Sequence, residues 1–86
     1  MNYYVVRAEW VPEKHIKTVC DLIESQFGDV IIMAAGPCDM FDKDALWVLA
    51  SPDVIHRQVQ QIVWEFNNGA SVEVSTVDES TAEEYC

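Results

Sequence analysis

The stretch GPCDMFDKDALW, residues 36 to 47, gathers a cysteine, three aspartates, a lysine and the apolar pair Met40 and Phe41. Those residue types serve three chemistries: a cation loop, a reactive thiol, or an acidic contact surface. A calcium loop needs oxygen ligands spaced around a glycine turn and closed by a bidentate acid. After Asp42 the chain reads Lys43, Asp44, Ala45, Leu46, without a glycine and with an apolar run starting at once. A transition-metal site would draw on His15, His56 and the cysteines, no two of which stand at CxxC or HxxxH spacing. Both histidines read instead as solvated side chains near helix starts. Cys38 lies between Pro37 and Asp39, and a neighbouring carboxylate raises a thiol's pKa rather than activating it. GxxxxGK[ST], GxGxxG and GxSxG are all missing from the chain. No catalytic residue, metal ligand or cofactor is assigned, and the chain reads as a binding protein rather than an enzyme.

The acidic contact surface survives this comparison. Fifteen acidic residues face five basic ones, for a net charge of −10. Residues 1 to 38 hold five acids and three bases, and residues 39 to 86 hold ten acids and two bases. Such a balance opposes direct binding to nucleic acid or to an anionic membrane surface, and favours a basic protein partner. Candidate contact residues are Asp39, Met40, Phe41, Asp42 and Asp44 in the quoted loop, Glu65 and Glu73 between it and the end, and Asp78 and Glu79 in DESTAEEYC. The acids also keep a small protein soluble. The apolar pair inside the acidic loop tips the reading toward contact, because it supplies anchors beside charges that steer.

These residues need a scaffold, and 86 residues allow one small domain. NYYVVRAEW alternates as a strand, with Val5, Arg7 and Glu9 on one side. Pro12 suits a helix start, Ile16, Val19, Cys20, Ile23 and Phe27 make an apolar stripe, and Gly28 is expected as a left-handed stop, giving a helix over 12–27. VIIMAAG and ALWVLAS predict a hairpin of two strands around the acidic loop. Ser51-Pro52-Asp53 predicts the cap of a second helix, whose stripe is Ile55, Val59, Ile62, Val63 and Phe66 and whose end is Asn67-Asn68-Gly69. SVEVSTV predicts a fourth strand, and residues 78–86 an acidic flexible tail.

The order βαββαβ predicts an α+β, ferredoxin-like sandwich over residues 1–77, with an antiparallel sheet in the order 4-1-3-2 and both helices on one face. The middle strands are too uniformly apolar to turn every side chain toward two helices. Some apolar residues therefore fall on the open face, where a homodimer would bury them. Without an apolar run of about 20 residues or a basic-then-apolar leader, the chain is expected to be cytoplasmic.

In size and charge the chain resembles small acidic antagonists encoded by phages, anti-CRISPR proteins included, and toxin immunity proteins. That resemblance implies an inhibitor that occupies a nucleic-acid-binding surface of another protein, as a nucleic-acid mimic. The alternative is a dimeric ferredoxin-like regulatory or ligand-binding domain.

Overall fold

The computed structural model describes residues 1–9, 11–37, 44–66 and 71–85. Strand β1 (Asn2–Glu9) is followed by helix α1 (Glu13–Gln26), strands β2 (Ile31–Pro37) and β3 (Asp44–Ser51), helix α2 (His56–Phe66), strand β4 (Val72–Val77) and helix α3 (Glu79–Glu84). The fold is α+β, with one open four-stranded antiparallel sheet and three helices. Its strand order is β2-β3-β1-β4, which counted from the β4 edge is 4-1-3-2.

Period-2 alternation sorts the strand residues. Tyr4, Val6 and Ala8 of β1 and Ala45, Trp47 and Leu49 of β3 turn to one face and meet Ile16, Val19 and Ile23 of α1 and Val59 and Val63 of α2 in a single core. Each fully buried branched side chain there stabilises the fold by roughly 1.5–3 kcal/mol before conformational entropy is counted. Two buried polar contacts tie the layers together. The Trp47 indole N–H donates to the Ile16 carbonyl at 3.3 Å, and the Tyr4 hydroxyl accepts from the Ile55 amide at 3.2 Å.

Three local expectations are corrected. Helix α1 leaves through an extended Phe27, whose amide donates to the Ile23 carbonyl, and Gly28 does not adopt the left-handed conformation expected of it. Helix α2 begins at His56 rather than at Pro52. Ser51 completes β3, and its hydroxyl accepts from the Asp53 amide, so Ser51-Pro52-Asp53 forms a turn that throws Val54 into solvent before Ile55 re-enters the core. The expected tail is the third and largest correction. Asp78 caps α3 by accepting from the Thr81 amide at 2.8 Å, and Ala82 is fully buried.

The location of α3 follows from what it buries. Val5, Val48 and Ala50 are buried yet stand outside the core under α1 and α2, as the alternation requires of residues that point the other way. Ala82 is likewise buried outside that core, and α3 contacts β1. Helix α3 therefore packs on the face turned away from α1 and α2. Among the described residues, no helix is long and apolar enough to cross a membrane.

Candidate functional site

Of the acidic loop, Asp39, Met40, Phe41 and Asp42 lie outside the described residues. Asp44, at the start of β3, is described. Its carboxylate takes the Arg7 side chain, with Nε and Nη2 each 3.1 Å from Oδ2. Asp44 is thus an acid matched by a base on the neighbouring strand.

Register builds the surroundings of this pair. Arg7 stands directly across from Glu73 on β4, and Glu9 directly across from Asp44 on β3. Residues paired across strands project to the same side, and by alternation that side is the one bearing Val5 and Val48. Arg7 therefore sits among Asp44, Glu73 and Glu9, where its positive charge offsets a repulsion that three acids on adjacent strands would otherwise impose. Glu9 was not among the sequence candidates. The signal was present, since alternation put it on the side of Arg7, but only strand register shows which acids it joins.

Helix α3 adds Asp78, Glu79, Glu83 and Glu84 beside the same face. The Asp78 carboxyl is held below its ordinary value by its hydrogen bonds with Thr81. Glu65 does not belong to this group. It lies on α2, across the sheet, where it accepts from Gln61 Nε2 at 2.7 Å. The candidate acids thus separate by layer. Asp44, Glu73, Asp78 and Glu79 share one side of the sheet, and Glu65 is on the other.

The two sides differ sharply in charge. Helices α1 and α2 carry four acids, Glu13, Asp21, Glu24 and Glu65, against three bases, Lys14, Lys17 and Arg57. Among the described residues, the opposite face with α3 carries seven acids, Glu9, Asp44, Glu73, Asp78, Glu79, Glu83 and Glu84, against Arg7.

The histidines also differ from expectation. His15 packs edge-on to Phe66 with ring centroids 5.4 Å apart, and His56 packs edge-on to Tyr4 at 6.3 Å, so each serves as a half-buried packing ring. Among the described residues, no three His, Cys, Asp or Glu side chains are grouped to hold a metal ion. Cys20 is half-buried on α1; burial pushes its thiol up, Glu24 and Asp21 add to the shift, and the nearby Trp47 indole works against it. Such a thiol is a poor nucleophile. No known family, curated protein or solved structure matches the chain.

Proposed function

We propose that the chain is a small acidic inhibitor that docks, through the sheet face bearing α3, on a basic nucleic-acid-binding surface of a partner protein in the cytoplasm. The observation that carries this reading is the charge division between the layers among the described residues, seven acids to one base on the α3 face and four to three on helices α1 and α2. Acids present only for solubility have no need to collect on one side, whereas a docking face does. A concentrated negative field accelerates encounter with a basic groove and orients the approach within roughly 8 Å, the screening length at physiological salt. In such a groove the carboxylates take the place of phosphates, which is the sense in which the chain would mimic nucleic acid, as phage-encoded antagonists of host defence do.

We take the scaffold to be a ferredoxin-like sandwich with α3 appended, on the support of its βαββαβ order and its strand neighbours. The open-face dimer considered from sequence is less well supported, since α3 already packs against that face.

The test compares two charge-neutralised variants against a partner isolated on the parent protein. One changes Glu9, Glu73, Glu79 and Glu83 to glutamine, and the other changes Glu13, Asp21, Glu24 and Glu65 to their amides. The first should slow association and release the partner's nucleic acid site, with about tenfold or greater loss of affinity, and the second should bind like the parent. Equal effects of the two variants, or a partner that binds nucleic acid unhindered in the complex, would refute the proposal.

A further inference from the structure

The two edges of the sheet are not alike. Strand β4 carries Glu73 and runs directly into Asp78 and Glu79, whereas β2, Ile31–Pro37, has no ionisable side chain. An edge strand offers a row of free N–H and C=O groups, and charged side chains are the usual guard against pairing with another chain. Among the described residues β2 pairs with β3 alone. A bulge between Ile32 and Ala34 and the proline at its end shorten the usable edge but leave Ala34 to Gly36 regular and uncharged. Ile31 is 53 % exposed.

Beside this edge, α1 and β2 frame a groove of about 370 Å³ lined by Ile16, Cys20, Ala35 and Pro37, with the exposed Glu13 and Lys17 completing it. Glu13 and Lys17 stand one helical turn apart. We propose that this edge and groove form a self-association surface, on which β2 pairs antiparallel with β2 of a second copy while the two α1 helices lie side by side over the seam.

Charge decides the occupant. Two copies of a chain with a net charge of −10 repel each other, so they can approach only where charge is low or self-complementary. The β2 edge is uncharged, and a two-fold axis passing close to the first turn of α1 would set Glu13 of one copy against Lys17 of the other. The pairing would extend the sheet from four strands to eight, keep all long helices on one side, and set both acidic faces on the other.

The experiment measures mass by light scattering and sedimentation across concentration, together with amide exchange in β2. The parent should approach twice its monomer mass as concentration rises, with β2 amides slowing in parallel. Ile31→Lys and Ala35→Lys alter exposed side chains and reduce the overall negative charge, so weaker association in them reports the edge rather than general repulsion; each should raise the dimer Kd by about tenfold or more. Lys17→Glu should do the same, and the exchanged variant E13K/K17E should recover the parent's affinity. Near-ultraviolet dichroism, to which the buried Trp47 contributes, checks the fold of each variant. A parent monomeric at every concentration, a dimer indifferent to these substitutions, or β2 protection that appears only when another protein is added would each overturn the proposal.

Discussion

The indole N–H of Trp47, on the central strand β3, donates to the backbone carbonyl of Ile16 on α1 at 3.3 Å, with both residues inside the core. A helix carbonyl ordinarily accepts from its own helix, so this contact fixes the rotation and height of α1 against the sheet as well as filling volume. Trp47→Ala should cost about 3–5 kcal/mol, and Trp47→Phe, which keeps most of the volume but removes the donor, about 1–2 kcal/mol. Urea unfolding of the two variants separates packing from the hydrogen bond.

Tyr4 plays the corresponding part for α2, where its buried hydroxyl accepts from the Ile55 amide at the helix entry. Tyr4→Phe leaves that buried amide without its acceptor, at about 1–3 kcal/mol. Hydrogen exchange should show the amides at the start of α2 opening faster than those of α1.

Arg7 and Asp44 form an exposed pair, with Arg7 53 % exposed and Asp44 18 %. Such pairs contribute little, and Arg7→Gln should cost about 0.5–1 kcal/mol. Because the loss is partly renewed repulsion among Glu9, Asp44 and Glu73, it should shrink as salt is raised. A loss that persists at high salt would assign Arg7 a packing role instead.

Helix α3 should respond to pH through Asp78. Its carboxyl is lowered in the folded chain by the Thr81 contacts, so the ionised form favours the helix. That contribution is complete above the ordinary carboxyl value of 3.8 and is lost as pH falls through the lower folded value. Thr81 amide exchange should accelerate over that acidic range, and Asp78→Ala should abolish the dependence. Deleting residues 78–86 removes the helix that packs on β1 and should lower stability by roughly 2 kcal/mol.

Cys20 should alkylate slowly. With Cys38 and Cys86 replaced by serine, iodoacetamide at pH 8 should modify folded Cys20 several-fold more slowly than the unfolded chain, because burial raises the thiol and blocks its approach. Reaction at the unfolded rate would show that the groove beside α1 opens freely.

The long periodic elements were legible in the sequence because burial enforces their period. Ile16, Val19 and Ile23 on α1, and Val59, Ile62 and Val63 on α2, are buried as their spacing requires. What stayed hidden depended on contacts distant in sequence. Ser51-Pro52-Asp53 has the composition of a helix cap, yet the pairing of Ser51 with Asn2 extends β3 through it and delays α2. Nothing apolar and periodic marks α3, whose one buried residue is an alanine. In the candidate site, Asp44 and Glu73 were readable as acids, but their relation to Arg7 and Glu9 exists only through register.

Strand β1 lies between β3 and β4, and Tyr3 is paired with Val77. During synthesis on the ribosome, one flank of β1 therefore has no native partner until β4 has emerged. A nascent chain stalled after α2 would hold the core of α1, α2 and three strands but expose the backbone of β1 along that flank. Until β4 is added that flank stays open to mispairing, and the incomplete sheet is the form most in need of a chaperone.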